Sequence, residues 1–175
     1  MVNVEKGYAR FATKEIQSDS IVDGEGIRSV IWFQGCSHNC PGCHNPETHD
    51  FKAGVEVSLK TMKKQIDELE YQSGVTFSGG DPMMQPIPCT AIAKRCKEIG
   101  LNIWCYTGFL FEELLDKPDC IEFLKYIDVL VDGKFDNNLK SYSAKFRGSK
   151  NQRIINVKSS LKKKKAVCLR EYIVK

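Results

Sequence analysis

The stretch Ser29-Val-Ile-Trp-Phe-Gln-Gly-Cys-Ser-His-Asn-Cys-Pro-Gly-Cys-His-Asn-Pro46 sets an apolar run directly against a loop that holds Cys36, Cys40 and Cys43. Ser29 to Gln34 has the unbroken apolar character of a strand covered on both faces, and Gly35 ends it. The cysteine loop is therefore expected at the carboxyl end of a buried strand. Three thiolates spaced Cys-x3-Cys-x2-Cys can hold three corners of a 4Fe–4S cubane and leave the fourth iron open, whereas closed structural sites use four protein ligands. A Cys3His zinc site is the alternative, since His38, His44 and His49 all lie in or just beyond the loop. Structural zinc sites usually join two short arms from separate segments, and no second arm follows here. The spacing favours the open iron–sulfur cluster.

Strands and helices alternate from this point outward. Ser58 reads as the N-cap of a helix through Gln72, with Leu59, Met62, Ile66 and Leu69 on one face. Val75 to Ser78 is a second strand, closed by Gly79-Gly80-Asp81-Pro82. Pro88 to Ile99 reads as a helix with Gly100 past its end, and Asn102 to Thr107 as a third strand. Short helices are expected over Phe109–Leu115 and Asp119–Lys125, a fourth strand over Val129–Asp132, and a late strand over Ala166–Val174. This order implies an α/β fold with a parallel sheet and right-handed crossovers. Ligands of such sheets bind outside the carboxyl ends of the strands. The cysteine loop, Gly79-Gly80-Asp81, Tyr106-Thr107-Gly108 and Asp132-Gly133-Lys134 all fall there.

An open iron needs a ligand with nitrogen and oxygen donors, which the amino and carboxylate groups of an amino acid provide. Gly79 and Gly80 would let backbone approach such a ligand closely. Asp81 could accept from its amino group, and Lys134, Arg28 or Arg147 could balance its carboxylate.

These motifs resemble those of the radical S-adenosylmethionine enzymes: Cys36-x3-Cys40-x2-Cys43 their cluster signature, Ser78-Gly-Gly-Asp-Pro82 their glycine-rich motif. More narrowly, the chain resembles the family of anaerobic ribonucleoside-triphosphate reductase activating proteins. Matching stretches run in order from Ser20-Ile-Val-Asp-Gly-Glu-Gly-Ile-Arg28 through the cysteine loop, Phe77 to Met83, Trp104 to Phe109 and Val129 to Phe135, ending with Arg147-Gly-Ser-Lys-Asn-Gln-Arg153. The resemblance implies an incomplete TIM-like barrel, and a 4Fe–4S cluster on Cys36, Cys40 and Cys43. It further implies S-adenosylmethionine contacted by Gly42, Cys43, His44, Gly79, Gly80 and Asp81, with no catalytic residue beyond cluster and cofactor. Reductive cleavage would give methionine and a 5′-deoxyadenosyl radical, which takes hydrogen from a glycine of the reductase. An electron donor such as flavodoxin or ferredoxin is implied too. Gly42 stands where most of the superfamily carries an aromatic residue, which counts against the activases of pyruvate formate-lyase. Activation of another such glycyl-radical enzyme, and a non-enzymatic zinc or iron–sulfur module, are the competing readings.

Composition bounds the rest. The 175 residues, 42% hydrophobic and 27% charged, fit one domain over 1–175. No apolar run is long enough for a membrane span, and Met1 to Lys6 lacks the start of a secretory signal, so a cytoplasmic protein is expected. Cys89, Cys96, Cys105, Cys120 and Cys168 are scattered and read as small hydrophobes in a reducing compartment. Residues 145–175 hold eleven Lys or Arg against Glu171 alone. The basic segment, about 157–175, has no interleaved aromatics around Lys162 to Lys165, so no nucleic-acid partner is expected.

Overall fold

The computed structural model describes residues 7–173. The chain forms β1 (Tyr8–Phe11), β2 (Gln17–Ser20), β3 (Arg28–Phe33), β4 (Val55–Ser58), α1 (Leu59–Asp67), β5 (Gly74–Gly79) and α2 (Pro86–Glu98). It continues through β6 (Asn102–Tyr106), α3 (Phe111–Leu114), α4 (Pro118–Leu124), β7 (Val129–Asp132), β8 (Arg153–Asn156) and α5 (Val157–Lys163). One eight-stranded sheet runs β4-β1-β3-β5-β6-β7-β8, with β2 also paired to β3.

The four strands read from sequence are the parallel centre, β3, β5, β6 and β7. The sheet is nevertheless mixed rather than parallel throughout. β1 pairs antiparallel with β3 and β4, β2 with β3, and β8 with β7. These four added strands have four residues each and partly polar sequences such as Gln17-Ser-Asp-Ser20, so their pairing comes from neighbouring strands and not from their own pattern. The fold is α/β with one mixed sheet. The late strand also shrinks: between Ala166 and Ile173 only Cys168 bridges to Ile155, followed by a 3₁₀ turn at Arg170–Tyr172. Val174, like Met1 to Lys6, lies outside the described residues.

Helices cover one face. Met62 and Ile66 of α1, and Cys89, Ile92, Ala93 and Cys96 of α2, recur at helical spacing and are buried against the sheet. Aromatic rings carry the core across the strands to α4: Phe11–Phe33 centroids are 5.1 Å apart, Phe33–Phe77 5.6 Å and Phe77–Phe123 5.4 Å. Ser58 caps α1, its side chain accepting from the Thr61 N–H at 3.1 Å. The helix stops at Asp67 instead of Gln72 because the next residues are held elsewhere. The Tyr71 hydroxyl and Gln72 Nε2 donate to Asp19 of β2 at 3.0 and 2.9 Å. Among the described residues no helix is long and apolar enough to cross a membrane.

The opposite face carries a second, smaller cluster of Trp104, Val131, Ile154 and Tyr172, with Phe146 packed on it. Arg28 plugs the amino end of this face. It is fully buried, donating to Thr76 Oγ1 at 2.8 Å and to the carbonyls of Glu25, Val75 and Asn102, with its guanidinium 5.6 Å from the Trp104 ring centroid. Its place at the wrong end of the strands removes it as a partner for a bound carboxylate.

Candidate functional site

The loop after β3 is held by backbone bonds to its own return. The Gly35 N–H donates to the Thr48 carbonyl at 2.8 Å and the Cys36 N–H to the His49 carbonyl at 3.1 Å, while Gln34 Nε2 donates to the carbonyls of Glu47 and Asp50. Cys36, Cys40 and Cys43 are all free thiols and all line one open cavity of about 730 Å³. That volume lies in the range of small-molecule and cofactor pockets, about 300–1,000 Å³. Burial pushes the Cys36 thiol up to about 11, partly offset by the His38 backbone N–H. A thiolate held in such a place needs positive charge, which bound iron supplies.

Ser78, Gly79 and Gly80 line the same cavity, as do Thr107 and Gly108 after β6 and Gly133 after β7. The glycine pair earns its place first by packing. A Cβ on Gly79 would stand 2.5 Å from the Phe33 carbonyl oxygen, and one on Gly80 2.5 Å from that of Gly35. The absence of both Cβ atoms lets the end of β5 press against the root of the cysteine loop. Gly42 adopts φ +72°, a backbone conformation that strains any residue with a side chain, and a Cβ there would also displace the exposed Asn137 side chain, whose Oδ1 it meets at 2.8 Å.

Asp81 is placed differently from the expectation that it faces a ligand's amino group. Its side chain is 1% exposed, it does not line the cavity, and protein donors occupy it. Oδ2 accepts from His38 Nε2 at 2.8 Å, Thr107 Oγ1 at 2.9 Å and the Gly108 N–H at 3.0 Å, while Oδ1 accepts from the Met83 N–H at 2.9 Å. The bond to Asp81 engages His38 Nε2 and fixes the orientation of its ring. His44 lines the cavity with its ring 4.9 Å from that of Phe135. Lys134 is outside the cavity lining; Arg147 is within it.

The outer wall is a segment whose role the sequence did not announce, residues 140–148. Gln152 ties it down: Oε1 accepts from the Gly148 and Ser149 N–H groups at 2.9 and 3.2 Å, and Nε2 donates to the Gly133 carbonyl at 3.1 Å. The Tyr106 hydroxyl donates to the Phe146 carbonyl at 2.8 Å. Arg147 donates to the carbonyls of Gln152 and Tyr172, yet its Nε is buried without a partner. A buried donor left unpaired costs about 1–3 kcal/mol, so this position suits an acceptor brought by a ligand. Three thiols from one loop, a floor free of side chains and an orphaned guanidinium donor fit an iron–sulfur cluster with an amino-acid-like cofactor. The prior signals for this wall were Arg147 as a candidate carboxylate partner and the ordered match of Val129–Phe135 and Arg147–Arg153.

Comparison with known proteins places the chain among iron–sulfur proteins. The family described as a 4Fe-4S single cluster domain matches residues 22–155. Curated relatives named anaerobic ribonucleoside-triphosphate reductase-activating protein include one from Enterobacteria phage T4, 34% identical over 139 residues, covering 76% of this chain and 86% of its own length. Another, from Escherichia coli K12, is 37% identical over 142 residues, covering 75% of this chain and 90% of its own. A more distant likeness is to the crystal structure of QueE from Escherichia coli, 14% identical, with a TM-score of 0.47 over 61% of this chain and 56% of that one. With a family match across residues 22–155 and relatives a third or more identical over three quarters of its length, the chain belongs to the 4Fe-4S single-cluster family of anaerobic ribonucleoside-triphosphate reductase-activating proteins.

Proposed function

We propose that the chain is a radical S-adenosylmethionine activating enzyme that installs a glycyl radical on anaerobic ribonucleoside-triphosphate reductase. The observation that carries the reading is the meeting of Cys36, Cys40 and Cys43 with the Gly79-Gly80 turn in one cavity at the carboxyl ends of β3, β5, β6 and β7. Cys36, Cys40 and Cys43 would hold a 4Fe–4S cluster with one iron open. Bound together, cluster and S-adenosylmethionine supply one-electron reductive cleavage at the sulfonium and hydrogen abstraction from a glycine Cα, given an electron from a flavodoxin- or ferredoxin-type donor.

The chain's own residues bind and orient. Gly79 and Gly80 offer backbone to the methionyl end without side-chain obstruction, and the Arg147 Nε–H is available to its carboxylate or to the ribose. Gly42, Cys43 and His44 would flank the adenine, with the His44 and Phe135 rings as its apolar wall. Asp81 acts behind this surface, joining three loops. Residues 140–148 form the outer wall of the cavity.

Anaerobic protein, reconstituted with iron and sulfide, reduced and mixed with S-adenosylmethionine and reductase, should give a glycyl-radical doublet by electron paramagnetic resonance and one 5′-deoxyadenosine per radical. Cleavage of S-adenosylmethionine with a radical only on another glycyl-radical enzyme, such as pyruvate formate-lyase, would reassign the partner. A colourless, zinc-loaded protein that leaves S-adenosylmethionine intact would reduce the chain to a metal-binding module.

A further inference from the structure

Between Cys36 and Cys40 the buried anchor is His38, while the exposed Ser37 Oγ makes a weak contact with Met84 Sδ at 3.9 Å. Ser37 and Asn39 are exposed, and none of Ser37, His38 and Asn39 makes a backbone–backbone hydrogen bond among the described residues. The His38 side chain is 7% exposed. It is fixed on three sides: by Asp81 Oδ2 at 2.8 Å, by the Phe109 ring with centroids 4.6 Å apart, and by Gly108, where a Cβ would stand 2.4 Å from His38 Cδ2. The carboxylate it meets is itself immobilised by Thr107, Gly108 and Met83.

We infer that His38 is a positioning residue. Through Asp81 its imidazole locks the span from Cys36 to Cys40 against the turns after β5 and β6, so that two of the three thiols are set before iron binds. The imidazole is not an iron ligand. Asp81 is the hub of this arrangement and also fixes the turn that carries Gly79 and Gly80, which makes the cysteine loop and the glycine turn one rigid unit. Gly108 is required because the locked ring fills the space a side chain would need. The inference rests on the three-cysteine reading of the site, and on neither S-adenosylmethionine nor a protein partner.

The tests use the full-length chain and need no turnover. In His38→Ala, amide hydrogen exchange at Cys36, Cys43 and Gly108, whose N–H groups bond the His49 carbonyl, the Cys40 carbonyl and Asp81 Oδ2, measured before iron loading, should accelerate by on the order of tenfold or more, the scale of one hydrogen bond to a carboxylate. In the reconstituted protein, iron should leave to a chelator faster by a similar factor. His38→Gln, whose amide can still donate to Asp81, should recover most of both. Gly108→Ala should lower the melting temperature in the parent but cost little in His38→Ala, because the clash it creates is with that ring. The reduced cluster of protein labelled with ¹⁵N-histidine should show no strong nitrogen coupling by pulsed electron paramagnetic resonance. Strong coupling assigned to His38 would make it a ligand and overturn the inference. So would parental exchange and iron release in His38→Ala, or a Gly108→Ala penalty that is the same with and without the ring. A failed activase assay would leave every one of these outcomes readable.

Discussion

Gly80→Ala adds one methyl group at the junction of the glycine turn and the cysteine loop. That Cβ would lie 2.5 Å from the Gly35 carbonyl oxygen and 2.9 Å from both its carbonyl carbon and its nitrogen. Comfortable non-bonded separation is about 3.5 Å, so the two backbones must part by roughly 1 Å. No side chain is available to turn aside, since every obstructing atom is backbone. Overpacking of this kind costs about 1–3 kcal/mol. The same oxygen accepts the Asp81 N–H at 3.0 Å, and weakening that bond adds about 1 kcal/mol. For a chain of this size, roughly 2–4 kcal/mol corresponds to melting about 5–15 °C lower. Calorimetry of the iron-free chain reads the packing, and iron content after reconstitution reads the displaced loop. A Gly80 that served only to admit a cofactor would predict full iron with lost S-adenosylmethionine cleavage. Melting within about 2 °C of the parent together with full iron content would refute the close-packing argument.

Three further outcomes are expected. Alanine at Cys36, Cys40 or Cys43 should abolish the iron–sulfur absorbance under anaerobic reconstitution, whereas alanine at Cys89, Cys96, Cys105, Cys120 or Cys168, none of which lines the cavity, should retain it. Asp132 is fully buried, paired with Arg153 and accepting the Phe111 N–H at 2.7 Å, so Asp132→Ala should destabilise by about 1–3 kcal/mol in denaturant unfolding by leaving that buried N–H unpaired, while Arg153 keeps Glu112; an unchanged unfolding midpoint would deny Asp132 a structural part. Lys162 to Lys165 are exposed, with no ion pair among the described residues, and replacing all four with Gln should slow association with the reductase at low salt while leaving S-adenosylmethionine cleavage alone; unchanged association rates would return them to plain solvated charge.

The sequence by itself determined the elements whose stability is local. Ser29–Gln34, Val75–Ser78, Asn102–Thr107 and Val129–Asp132 are apolar enough to be strands wherever they sit, and their order with intervening helices placed the cysteine loop and the glycine turn at one sheet edge. The three cysteines were legible because metal-ligand chemistry depends on residue type and short spacing. Only the tertiary structure decided the rest. β1, β2, β4 and β8 are too short and too polar to announce themselves, and exist because neighbouring strand edges need hydrogen-bond partners. Arg28 and Arg147 are alike in sequence as cations beside matched motifs. The fold buries one at the amino end of the strands and sets the other in the cavity wall, a difference of position that no local pattern encodes. Asp81 likewise reads as a ligand contact from its motif, yet contacts with His38, 43 residues away, and with Thr107, 26 residues away, take up its oxygen. Long-range packing chooses which polar atoms remain free for a ligand, because a buried acceptor bonds the donors the fold brings to it.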